Sequence, residues 1–341
     1  MKTTKIQWID WMKVITMFFV IWGHCFPELM SSFIYAFNVP AFFILSGFLT
    51  RKHDESSSFY GKFTRNLLIP YLLLAFLKCA GAIIKGFNNG EWYISIAAIL
   101  GGFHSINSNL WFVYSLMIVR LLHHLIKGSL KCLIVLSFIS TVAACLLALN
   151  YEMPKWAVSN TLIALPFFTI GHIFRTALRE RFDKFIETIK NSNRILLFFA
   201  MACVAVIIYA IGEANGEAAL YHGYYGTSII LLFIGAILGT IMLVIPSVCL
   251  DSFSPKWLAF LAAGNIVTLT FHRELLHSPL KMITHSEMSP WIQDACSFLA
   301  SFAVLACFIP INWIVSKYMP VFIGLRAKNA NDQTPTPQTN K

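Results

Sequence analysis

The chain predicts an all-α, polytopic integral membrane protein with about ten spanning helices. Three observations lead there. Of its 341 residues 57% are hydrophobic and only 12% charged, with mean hydropathy +0.67; a soluble domain carries about twice that charged fraction. Apolar runs long enough to cross a bilayer recur along the whole length. Lys and Arg gather in alternate short connections, the pattern of cytoplasmic loops.

Taken in order, the first apolar run covers 11–30 and the second 32–50, before a polar loop at 51–65. The third covers 66–86. Residues 86–109 read as irregular, with a short interfacial helix at 91–100. The fourth, fifth and sixth runs are 110–126, 132–150 and 157–175, and 175–194 is the most charged loop. The seventh is 195–212, followed by a polar, Gly-containing loop at 212–226. The eighth, ninth and tenth are 227–248, 257–278 and 292–318. Residues 1–325 form one domain without internal repeats, and 326–341 have the polar composition of a disordered tail.

Positive residues set the orientation. Lys2, Lys5, Arg51, Lys52, Lys62, Arg65, Lys127, Lys131, the Arg and Lys residues of 175–194, Lys256, Lys317, Arg326 and Lys328 fall on one side. Lys85, Lys155 and Lys281 are the clear cases on the other. Both termini are therefore expected in the cytoplasm. The first run carries Lys13 and lacks a small-residue cleavage site, so it reads as a permanent helix.

The formal net charge of +10 belongs to these loops. No zinc-knuckle, basic-helix or aromatic-interleaved pattern accompanies it, so nucleic acid is not an expected partner. Anionic lipid and a phosphorylated cosubstrate are. The eight cysteines lie in or beside apolar runs and form no CxxC, so they read as small hydrophobes; neither a metal site nor a disulfide framework is expected.

The chemistry concentrates in 8–52. Asp10 and Lys13 are three residues apart and suit an ion pair at the inner boundary. His24 follows Lys13 by eleven residues, about three helical turns, which places both on one face about 16 Å apart. A lone His on an apolar helix is commonly a packing residue. Inside a membrane an ionisable group is costly and becomes a functional candidate. Glu28, four residues on, is positioned to orient the imidazole if the helix continues. Helical rise puts His24 about 20 Å above Trp11, His272 about 22 Å above Trp257, and Asn38 about 10 Å below the start of its helix. The three side chains are thus expected at one level. For His272 the plainer reading is a buried ring bonded to a backbone carbonyl.

This opening resembles that of the acyltransferase-3 family, polytopic membrane O-acyltransferases that modify sugars and polysaccharides. Asp10, Lys13 and His24 match its acid, basic residue and His. Phe37-Asn38-Val39-Pro40-Ala41-Phe42-Phe43-Ile44-Leu45-Ser46-Gly47-Phe48-Leu49 is similar to its Fx(M/V)PxFFxxSG(F/Y)L pattern. Lys13 stands where Arg is commoner, and Asn38 where many members carry His. Lys62 and Arg65 resemble the family's RxxR, Leu269 to His272 loosely resembles its YxxH, and Trp111 lies in a shared LWF context. Ser46 and Gly47 read as a site of close helix packing.

The resemblance implies transfer of an acyl group, in the first instance acetyl, from cytoplasmic acetyl-CoA to a carbohydrate hydroxyl, in the cytoplasmic membrane of a bacterium. His24 is then the candidate general base, with Asn38 or His272 as hydrogen-bond donor to the oxyanion; an acyl-His intermediate is the alternative. Lys13, Lys62, Arg65, Arg120 (near His123 and His124) and Arg175 (near His172) are the candidates for gripping acyl-CoA phosphates. Ordinary topology signals and snorkelling to lipid phosphates are the competing reading of those cations. A transporter using the membrane-embedded His residues as a proton relay, or a non-catalytic scaffold, are the other classes.

Overall fold

The computed structural model describes residues 7–50, 56–102, 109–149, 156–284 and 288–325. The predicted tail at 326–341 and the first part of the 51–65 loop lie outside the described residues. The fold is all-helical, with no strand among those described.

Helix α1 (Gln7–Gly23) runs through the middle of the bundle with ten buried residues. The carboxylate of Asp251 accepts the backbone N–H of Trp8 at 2.9 Å, satisfying a donor of the first turn. The helix stops at Gly23 and not near residue 30 as expected. Pro27 disfavours the helical region for the residue before it, and Phe26 takes a left-handed φ of 50°. The second run is likewise broken, into α2 (Ser31–Tyr35) and α3 (Asn38–Leu49). Pro40 sits in the first turn of α3, where a missing N–H costs nothing.

Helix α4 (Ser56–Phe63) joins α5 (Ile69–Asn88) through a π-helical turn, Thr64–Leu68. Pro70 cannot donate to the carbonyl one turn back, and the widened turn accommodates it. The short helix expected at 91–100 is α6 (Trp92–Gly101), folded back on α5. Helices α7 (Trp111–Leu125), α8 (Leu130–Leu149) and α9 (Ala157–Arg175) follow.

The charged stretch read as a loop is helix α10 (Arg179–Asn191). Phe182, Phe185, Ile186 and Ile189 recur at helical spacing and pack into the cluster formed by Trp8, Met12, Leu45 and Val244. The abundance of charge masked that stripe. Helices α11 (Arg194–Asn215) and α12 (Ile229–Cys249) complete this side. The ninth run is two helices, α13 (Lys256–Ala263) and α14 (Asn265–Thr284), with Gly264 between them pressed on the Asn312 side chain. Helix α15 (Pro290–Tyr318) closes the bundle.

Among the described residues seven helical stretches are long and apolar enough to cross a bilayer. α1, with 17 residues, and α7, with 15, fall short of that length, and the broken α13–α14 pair is outside the set. The expected count of about ten thus meets seven full-length spans. The outer helices α8, α11 and α15 turn bare apolar side chains outward, among them Phe138, Phe198, Val206 and Phe302, as lipid-facing helices do. Helices α3 and α9 approach each other closely. Gly47 faces the Phe168 carbonyl, and Gly171 faces the Ile44 carbonyl, so a Cβ at either place would collide with backbone.

Candidate active site

A cavity of about 590 Å³ follows one face of α1, lined at one end by Lys13 and at the other by His24. Asp10 and Lys13 form the expected pair at 3.9 Å. Asn66 and Leu67 of the π-helical turn, with Ser46, Leu49 and Ile323, line the cavity with Lys13. Asn265 opens α14 beside them, and its amide donates to the Lys13 carbonyl at 3.2 Å. That bond fixes α14 against α1 and sets the depth of His272.

At the far end the three candidate side chains share the cavity. The rings of His24 and His272 lie 5.0 Å apart, centroid to centroid, tilted by 33°. His272 is wholly buried. Its Nδ1 lies 3.1 Å from the Thr268 carbonyl and 2.9 Å from that of Leu269. A carbonyl oxygen only accepts, so Nδ1 carries the hydrogen and Nε2 of the neutral ring presents a lone pair. Nε2 is buried and has no hydrogen-bond partner among the described residues. The backbone bond expected on the plain reading of His272 is thus present.

Asn38 is also buried. Its Oδ1 accepts the Val39 N–H at 2.7 Å, which turns Nδ2 toward Gly23, the residue before His24. Tyr35 donates to the Gly23 carbonyl at 3.1 Å, bracing the turn that carries His24. Glu28 does not stand one turn beyond His24, because α1 has ended. Its backbone N–H instead donates to the Asp294 carboxylate at 2.6 Å.

The wall at this end is completed by Arg273 and by the loop between α11 and α12, which contributes Glu217, Tyr221 and His222. Two buried amides hold that loop. Asn160 of α9 donates to the Leu220 carbonyl at 2.6 Å. Asn215 donates to the Tyr225 carbonyl at 3.1 Å and accepts the Ser228 N–H at 2.7 Å. Gly226, at φ +78°, leaves no room for a Cβ against Asn215. Sequence reading passed over Tyr35, Glu217, Tyr221, His222 and Arg273. Only the adjacency of Arg273 to His272 signalled one of them; the loop read simply as a polar connection.

The cations predicted at the basic end separate into groups. Lys13 lines the cavity. Lys62 is exposed on α4, and Arg65 donates to Asn66 at 3.0 Å, next to the cavity rim. Arg120 and Arg175 are not part of the lining. Arg120 shares α7 with His123, whose ring meets His172 of α9 at 4.7 Å. Arg175 lies over the Phe48 ring at 5.6 Å. Among the described residues no cluster of His, Cys, Asp and Glu is arranged to hold a metal ion.

Apolar helices surround an elongated cavity with the rings of His24 and His272 at one end and Lys13 at the other, the architecture of a helical membrane protein with a polar site between its helices. A family model described as an acyltransferase domain matches residues 6–321. The chain belongs to this acyltransferase-3 family and is a membrane acyltransferase. No curated protein and no solved structure was found to match it.

Proposed function

We propose that the protein is an O-acyltransferase, moving an acetyl group from acetyl-CoA to a carbohydrate hydroxyl. The observation that carries this reading is the single cavity joining Lys13 to the His24–His272 pair. Its length along α1 is about 16 Å, which suits an extended thiol arm whose phosphates stay at the basic end. The concentration of Lys and Arg supports a cytoplasmic position for that end. N- and C-terminal reporter fusions should both register the cytoplasmic side, and opposite results would overturn this orientation.

In this reading His24 takes the proton of the acceptor hydroxyl as its oxygen attacks the thioester carbonyl carbon. The Asn38 Nδ2–H₂ group donates to the oxyanion that forms. Neutral His272 cannot donate from Nε2, so its part is to accept, holding the His24 ring or the acceptor hydroxyl in place. Collapse of the adduct breaks the C–S bond, and the proton held by His24 passes to the leaving thiolate. The products are an ester and free CoA.

Arg65, bonded to the cavity-lining Asn66, and Lys62 three residues before it are the natural partners for CoA phosphates. Replacing both by Ala should lower CoA affinity by about 1.5–3 kcal/mol for each charge-assisted bond lost. Calorimetry showing unchanged CoA binding would leave them as topology signals. The reading as a whole is tested with the purified protein, labelled acetyl-CoA and a carbohydrate acceptor. Label on the acceptor with release of free CoA supports it; counterflow of a small solute without thioester turnover would make the protein a transporter.

A further inference from the structure

A second cavity, of about 270 Å³, lies beside the first and is separated from it by Leu45, which lines both. Its walls come from α1, α3, α9, α10 and α12 and are almost wholly apolar. Trp8, Phe48 and Phe182 form its aromatic side, with ring centroids 4.9–6.2 Å apart. One charged side chain lines it, Arg181. A second guanidinium, Arg175, lies over the Phe48 ring. Among the described residues neither Arg175 nor Arg181 forms an ion pair with a carboxylate.

These features belong to the acyltransferase chain but play no part in the reaction cavity. We propose that this pocket binds an anionic glycerophospholipid, one acyl chain in the aromatic pocket and the phosphate against Arg175 and Arg181. Three arguments choose that occupant. A dry apolar void forfeits dispersion contacts with its lining, and water gains nothing there because it finds no polar partners. A lipid chain is as apolar as the wall and fills the space without loss of solvation. α10 has the amphipathic form of a helix lying at the membrane surface, with Phe182, Phe185 and Ile186 packed inward and Arg179, Lys184 and Lys190 exposed beside Glu180, Asp183 and Glu187, of which Asp183 pairs with Arg179 at 3.6 Å. It therefore places Arg181 at headgroup depth, where a planar guanidinium meets a phosphate through paired hydrogen bonds. Lys190 of the same helix is bound to Asp251 at 2.8 Å, and Asp251 caps α1. A lipid seated here would brace α10 against the helix that carries Lys13 and leads into His24. The inference stands apart from the choice of acyl donor or acceptor.

The test is native mass spectrometry of the full chain released from vesicles of equal phosphatidylglycerol and phosphatidylcholine. Retention of phosphatidylglycerol over phosphatidylcholine is expected. The double variant Arg175→Gln/Arg181→Gln should reduce that retention about fivefold for each guanidinium removed. Ile241→Trp, which fills the pocket, should abolish specific retention while leaving both arginines in place. If a variant fails to fold, the unaltered protein still decides: phosphatidylglycerol should raise its thermal midpoint and phosphatidylcholine should not. Equal retention of the two lipids, or retention indifferent to the arginines and to Ile241→Trp, would overturn the proposal. Displacement of the lipid by inorganic phosphate alone would assign the arginines to a free anion instead.

Discussion

His24→Ala should lower acyl transfer by about 10²–10⁴, the usual worth of a positioned general base. The protein should remain folded and still bind acetyl-CoA. His24 is only partly buried and lines the cavity, and it stands about 16 Å along α1 from the cation at the other end. His24→Gln tests the proton itself, since an amide can hydrogen-bond but cannot take up the hydroxyl proton. It should be as inactive as the Ala variant. The parallel measurement is acyl transfer against CoA binding on the same preparation. Near-normal transfer would remove His24 from the mechanism, and loss of both properties would return it to the role of a packing residue. Lys13→Ala should behave differently. Its pair with Asp10 at 3.9 Å lies at the opposite end of the cavity, so the effect should fall on CoA use or on stability.

The largest structural effect is expected where α3 meets α9. Gly47→Ala and Gly171→Ala each place a methyl group against a carbonyl of the facing helix. Backbone cannot yield as a side chain does, so the helices must separate along the contact. Overpacking of this kind costs about 1–3 kcal/mol, and more when no rotamer relieves it. Separation would also move Asn38 and Ser46, which line the cavity from α3, so activity should fall along with the thermal midpoint in detergent. Gly81→Ala is the control. Nothing lies within 4 Å of a Cβ there, and Ala is the better helix former by about 1 kcal/mol. Stability unchanged in Gly47→Ala and Gly171→Ala would contradict the close approach.

Asn38 and Gly47 illustrate how far one stretch of sequence reaches. Both belong to the apolar segment that resembles the family pattern, and in the structure one lines the cavity while the other makes a close helix contact. The shared face of Lys13 and His24 was likewise legible, because helical periodicity is local and needs no partner element. The end of α1 at Gly23 was harder to place: an apolar run continues to Met30, and only the left-handed Phe26 before Pro27 shows where the helix stops. The stripe in α10 is masked for a related reason, since charge dominates a segment whose four apolar residues turn it onto the bundle.

Composition, periodicity and charge distribution by themselves determined that this chain is a helical membrane protein and where its apolar runs lie. These are properties of single segments in a bilayer, which demands internally satisfied backbone and apolar surface. Only the tertiary structure decided which polar groups meet. Sequence spacing put His24 and His272 at one level, but the bond from Asn265 to the Lys13 carbonyl fixes α14 against α1, and that docking brings their rings together. The same holds for Glu217, His222 and Arg273, brought to one wall from distant parts of the chain by buried Asn160 and Asn215 and by α14. It holds in reverse for Arg175, grouped by charge with Lys13 and lodged by packing beside a different cavity. Depth follows from the rise of each helix alone, whereas rotation and neighbourhood follow from how the helices pack against one another.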